Sequence, residues 1–114
     1  MKKKISFEEI GALTVTFYAE EGVTAGQVVK LSQDSTVGAC MSGDWICGAA
    51  TWAEDGYAAV QLKGFVEVPY TGSVELGWNK LAADGKGGVT VNEEGADHLV
   101  AALDAASGIA VICL

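Results

Sequence analysis

The chain of 114 residues is long enough for one domain and too short for two independent cores, and with half of its residues hydrophobic it is not a disordered polypeptide. Seven lysines, no arginine and fifteen acidic residues give a formal net charge of −8; three of the lysines are Lys2, Lys3 and Lys4, so the remaining chain is strongly acidic, a poor match to phosphate backbones, and no nucleic-acid partner is expected. No apolar run approaches the roughly 18 residues that span a bilayer, and the lysine-rich start lacks the apolar stretch of a secretory signal, so neither a membrane partner nor export is expected and the chain is read as made in a reducing cytoplasm.

Along the chain, fifteen glycines and one proline punctuate short apolar segments. Leu13 to Tyr18 alternates and is rich in β-branched and aromatic residues, which predicts a strand. The turn-like stretch Gly22 to Gly26 leads into Gln27 to Leu31, and Ser32 to Ser35 separates that segment from Thr36 to Cys40. Ser42-Gly43-Asp44 breaks the chain before Trp45 to Trp52. Glu54-Asp55-Gly56 predicts a hairpin turn, because Asp-Gly accepts the positive φ that such turns require. Tyr57 to Leu62, Phe65 to Tyr70, Trp78 to Ala82 and Val89 to Asn92 continue the strand pattern, with the glycine-rich turn Asp84 to Gly88 before the last of them.

Two readings compete over residues 96–108. Alanine and leucine are good helix formers, Asp97 suits a cap and Gly108 a stop. The β-rich context and the apolar run Ile109 to Leu114 favour a hairpin, with a strand near His98 to Leu103 and a turn at Asp104 to Gly108, and the hairpin is the expectation. The whole reads as an all-β protein: a compact small barrel or sandwich of short strands, with an extended N-terminal arm. Residues 1–18 are assigned to the arm with its first strand and 19–114 to a single β domain. No fixed period is evident that would mark a solenoid.

Catalytic templates each lack a part. His98 is the one histidine, and a lone histidine is more often a packing or surface residue than a general base. Cys40, Cys47 and Cys113 are odd in number, which argues against a disulfide framework. Cys40 and Cys47 lack C-x-x-C spacing, so a zinc site with His98 and Cys113 is the minor reading and buried inert thiols the major one. The pairs Glu8-Glu9, Glu20-Glu21, Glu54-Asp55 and Glu93-Glu94 are read as solvated charge, since strand neighbours face opposite sides. The sequence around Lys86 lacks the spacing of a phosphate loop. No catalytic, metal or cofactor site is therefore assigned. Among the aromatics, Trp52 and Trp78 lie beside expected turns and are the candidates for a subunit or partner interface.

The succession VTAGQVVKL, GDWICGAAT, EDGYAAVQLKGFVEVPY, LGWNKLAADGKGGVTV and DAASGIAVICL, over roughly residues 10 to 114, resembles small proteins of phage and prophage structural modules. These are commonly described as capsid decoration or head-fibre-like proteins. The resemblance implies a non-enzymatic virion subunit, a homo-oligomer with a trimer favoured, and binding to the major capsid protein lattice on the capsid exterior after synthesis in the host bacterial cytoplasm. It implies no cofactor and supplies no catalytic residues. The lysine-rich start lies outside the matching stretch; from the basic start followed by a strand-like segment, an arm of about residues 2–18 is expected to add a strand to an exposed sheet edge, with Lys2, Lys3, Lys4, Ile5 and Phe7 as the capsid contacts. The alternative is a small ligand- or carbohydrate-binding β module that uses Trp52 and Trp78.

Overall fold

A computed structural model describes residues 11–114, and those residues form ten strands and no helix. In chain order the strands are β1 (Leu13–Ala19), β2 (Val28–Gln33), β3 (Thr36–Ala39), β4 (Gly48–Glu54), β5 (Tyr57–Lys63), β6 (Phe65–Pro69), β7 (Gly77–Ala83), β8 (Val89–Val91), β9 (Ala96–Asp104) and β10 (Ile109–Cys113). The all-β expectation is met. So is the hairpin over the ambiguous C-terminal segment: β9 and β10 pair antiparallel from Asp104–Ile109 inwards. Alanine-rich sequence forms a strand here because its neighbours on both sides supply ladder partners, and tertiary pairing outweighs helix propensity.

The first five strands close into a barrel in the order β1-β3-β2-β4-β5, with β5 pairing back onto β1. All its contacts are antiparallel except β1 with β3, which is parallel. The last five strands form a sheet in the order β6-β10-β9-β7-β8, and a parallel bridge between Tyr70 and Val89 brings its two ends together.

Set side by side, the two halves are the same construction. Replacing β1 to β5 by β6 to β10 in turn reproduces every pairing, including the single parallel contact. The irregularities repeat too. A register shift between Ala50 and Trp52 on β4 has its counterpart between Val100 and Ala102 on β9. The Ala19 N–H donates to the Gly56 carbonyl as the Tyr70 N–H donates to that of Gly108, both at 2.9 Å. Gly56 and Gly108 share a positive φ, which glycine adopts without steric cost.

The cores follow the same correspondence. Val29, Val37, Ala50, Ala58 and Val60 are the buried residues inside the first barrel. Their counterparts Leu81, Val89, Val100, Ala110 and Ile112 are buried in the core of the second sheet. Each half solves one packing problem with different side-chain volumes. The sequence shows no fixed period because only a few inward positions are constrained, and these tolerate any apolar residue of suitable size.

The halves are fused rather than strung together. Val28 and Ala49 of the first barrel belong to the core cluster of the second. The loop between β3 and β4 lies on the second sheet: Gly43 N–H donates to the Ala83 carbonyl, Ala83 N–H to that of Asp44, and the Trp45 indole to that of Glu94 at 2.7 Å. Gln61, the buried polar side chain of the core, donates through Nε2 to the Lys63 and Phe65 carbonyls at 3.0 and 2.9 Å, across the β5–β6 link. Gln61→Leu leaves both carbonyls without that donor and is expected to cost about 1–3 kcal/mol, read from urea unfolding.

The arm expectation divides at Leu13. Leu13–Ala19 is an integral barrel strand, paired with β5 from Leu13 to Tyr18 and with β3 only at Tyr18 and Ala19, so among the described residues the ladder on its second side is confined to its C-terminal end.

Candidate functional site

Side chains on the outside of the first barrel stand where the fold does not require them. On β1, β4 and β5, Phe17, Ala50, Ala58 and Val60 turn inward. The alternate positions turn outward, because successive side chains on a strand point to opposite faces. Tyr18 lies directly opposite Tyr57, with ring centroids 5.5 Å apart, and Thr16 and Trp52 both lie opposite Ala59. Tyr18, Tyr57 and Trp52 are 58 %, 47 % and 45 % exposed. They form a three-strand aromatic face around the small side chain of Ala59.

Comparison between the halves shows that this face is not a structural necessity. The positions equivalent to Tyr18, Tyr57 and Trp52 in the second half are occupied by Pro69, Ile109 and Ala102. The same pairings form without an aromatic side chain. Sequence reasoning singled out Trp52 from its neighbouring turn, but missed Tyr18 and Tyr57; the strand register Tyr18–Tyr57 that unites them comes from non-local pairing.

The aromatic face ends at a concavity of about 340 Å³, where β1 leaves the barrel beside the β4–β5 turn. Its lining includes Glu20, Glu21, Glu54, Asp55 and Tyr57. Asp55 and Gly56 both have positive φ, as the tight two-residue hairpin turn demands. The Glu20 carboxylate accepts from Ser32 Oγ at 2.7 Å and Gln33 Nε2 at 3.3 Å, and these bonds hold its pKa below the ordinary glutamate value. Among the described residues, Glu21, Glu54 and Asp55 make no side-chain hydrogen bond or ion pair. Two of the four acidic pairs read as solvated charge, Glu20-Glu21 and Glu54-Asp55, thus lie together at one end of the barrel.

Trp78, the other expected interface residue, lies on β7 opposite Leu99 and is 72 % exposed, next to the exposed Leu76. It stands on the second sheet, so strand pairing does not join it to Trp52. Trp45 has a different task, since its indole N–H ties the β3–β4 loop to the second half. The expected capsid contacts Lys2, Lys3, Lys4, Ile5 and Phe7 lie outside the described residues.

The Cys/Cys/His/Cys constellation is not assembled. No group of three or more metal-binding side chains occurs among the described residues. His98 Nδ1 lies 2.9 Å from the Cys113 carbonyl on the neighbouring strand, a packing role. Burial pushes the Cys40 thiol up to about 11, reinforced by the nearby negative charge of Asp44, and burial likewise raises Cys47. A thiol above the pH of its surroundings is a weak nucleophile. Cys40 and Cys47 are therefore expected to react with a disulfide reagent at pH 8 far more slowly in the folded protein than in denaturant, as the rate of thiol labelling will show.

Asp44 connects the loop to the first barrel. Its carboxylate accepts from Lys30 Nζ at 2.7 Å and from the Met41 N–H at 2.8 Å, and both bonds hold its pKa below the usual aspartate value.

No protein-family model matches this chain, and no curated protein does.

Proposed function

We propose that the protein is a non-enzymatic virion structural subunit of a phage or prophage, which binds and stabilises the capsid surface as a decoration protein and assembles as a homotrimer. The observation that carries the reading is the exposed aromatic face of Tyr18, Tyr57 and Trp52, built on a scaffold whose second copy dispenses with it. Large aromatic side chains at protein contacts supply much apolar area at little conformational cost, and tryptophan and tyrosine dominate interface energetics. The barrel interior and the core of the second sheet are filled by the protein's own valine, alanine, leucine and isoleucine side chains, and the aromatic rings stand on the outside. The strong net charge keeps separate molecules apart before they meet their lattice.

The test combines solution mass with co-sedimentation on purified capsids. The expected results are a mass three times that of the 11.7 kDa chain and saturable pelleting with the capsids. Trp52→Ala and Trp78→Ala should each weaken pelleting by about thirtyfold if the residue is an interface anchor. A monomeric mass together with no pelleting overturns the reading.

The same exposed aromatic face favours one second reading, a carbohydrate-binding module, because the C–H face of a sugar ring packs on an aromatic ring. Glycan-array binding that disappears in Trp52→Ala would select it.

A further inference from the structure

The aromatic face and the acidic concavity are one continuous surface: Tyr57 belongs to both, and Glu54 lies opposite Tyr57 across the hairpin. From this we propose that the outer face of β1, β5 and β4 is a docking site for a lysine- or arginine-bearing polypeptide segment of the protein's partner. The inference rests on the docking role proposed above and adds to it the chemistry of the contact.

Charge complementarity selects the occupant. Glu21, Glu54 and Asp55 present carboxylates without a described partner, beside two tyrosines and a tryptophan whose ring faces attract a cation. A guanidinium suits both features, since it stacks on aromatic rings while donating to a carboxylate. A second copy offering the same face would set these carboxylates against their own kind, and like charges in a contact are repulsive. A nucleic-acid backbone would be repelled for the same reason. A neutral sugar would stack on the rings and its hydroxyls can donate to the carboxylates, but it brings no positive charge to offset theirs.

The probe is the peptide acetyl-(Gly-Arg)4-amide, titrated into the full chain while amide resonances are followed by heteronuclear NMR. Shifts are expected at Tyr18, Trp52, Glu54, Tyr57 and Ala59, with affinity falling about tenfold as salt rises from about 50 to about 300 mM. The triple variant Glu21→Gln, Glu54→Gln and Asp55→Asn should bind at least about tenfold more weakly, since each change removes a charge at nearly constant shape. Asparagine also accepts the positive φ at position 55, so the hairpin turn is preserved. Trp52→Ala should weaken binding as well, with circular dichroism confirming that each variant is folded.

The inference is overturned if the shifts map elsewhere, if a (Gly-Ser)4 peptide binds equally well, or if the triple variant binds like the parent. It is also overturned if the face instead takes neutral glycans with no dependence on the carboxylates, or if it mediates self-association that Trp52→Ala abolishes. Capsid pelleting separates this result from the wider reading. Peptide binding at the face without pelleting leaves the docking site standing and removes the decoration role. Pelleting that is indifferent to salt and to the triple variant does the reverse.

Discussion

Leu81→Ala is expected to cost about 3–4 kcal/mol and to lower the melting midpoint by about 10–20 °C. Leu81 is the bulkiest of the fully buried side chains and the β7 member of the second core. It sits between two ladders, opposite Val91 on β8 and Ala96 on β9. Truncation leaves a cavity that the surrounding strands cannot collapse into, because their spacing is held by backbone hydrogen bonds. At the equivalent position in the first half, Val29→Ala removes fewer carbons and should cost less, about 2 kcal/mol. Since Val28 and Ala49 already pack into the second core, both variants should unfold in a single transition, visible as coincident fluorescence and circular-dichroism curves. Two separated transitions would show that the halves are independent.

The second large effect is expected at Gly88, immediately before β8. A Cβ built there would run into the Pro69 carbonyl and the Pro69 ring, on the strand that meets β8 across the seam of the second sheet. The obstacle is mostly backbone and cannot swing aside as a flexible side chain does. Gly88 is also tied from the other side: its N–H donates to Asp84 Oδ1, and its carbonyl accepts from the Asp84 N–H at 3.0 Å. Gly88→Ala should therefore push β6 and β8 apart, at a cost of about 2–3 kcal/mol in denaturant titration. Gly22→Ala is the informative control. Nothing lies within 4 Å of its built Cβ, so it should register only the strain of its positive φ, about 1 kcal/mol. Equal losses in the two variants would rule out steric crowding at the seam as the cause.

The candidate surface was only partly legible before folding. Trp52 drew notice because a tryptophan beside an Asp-Gly turn is poorly placed for a core. Tyr18 lies some forty residues away in the chain and read as an ordinary strand residue. Its place against Tyr57 follows from β1 closing onto β5, a contact that no local pattern encodes. The acidic pairs Glu20-Glu21 and Glu54-Asp55 each read as solvated charge; Glu20 departs from this by accepting from Ser32 and Gln33, and the convergence of both pairs on one concavity follows from the same closure. Trp45 illustrates the opposite error. The apolar run from Trp45 to Trp52 predicts a strand throughout, yet β4 starts at Gly48, because Trp45 to Cys47 belong to a loop that crosses between the halves: the Trp45 indole N–H donates to the Glu94 carbonyl while its ring stays largely exposed, Ile46 packs on the second core and Cys47 on the first. An apolar run signals burial, and burial has more than one geometry.

What the sequence determined by itself was local: alternation set the strands, Asp55-Gly56 set a hairpin, and composition set an all-β, acidic body. These follow from side-chain sterics and turn conformations, which act over a few residues. Which strand edges meet was decided only in three dimensions. That decision closed the barrel, repeated its strand-pairing plan in the second sheet with other side chains, and turned β9 and β10 from an ambiguous alanine-rich segment into a hairpin. It also gathered three aromatic rings and a set of carboxylates onto one outer face. Backbone pairing is indifferent to most side chains, so it can be repeated without leaving a sequence period, and the outward positions are left free to differ.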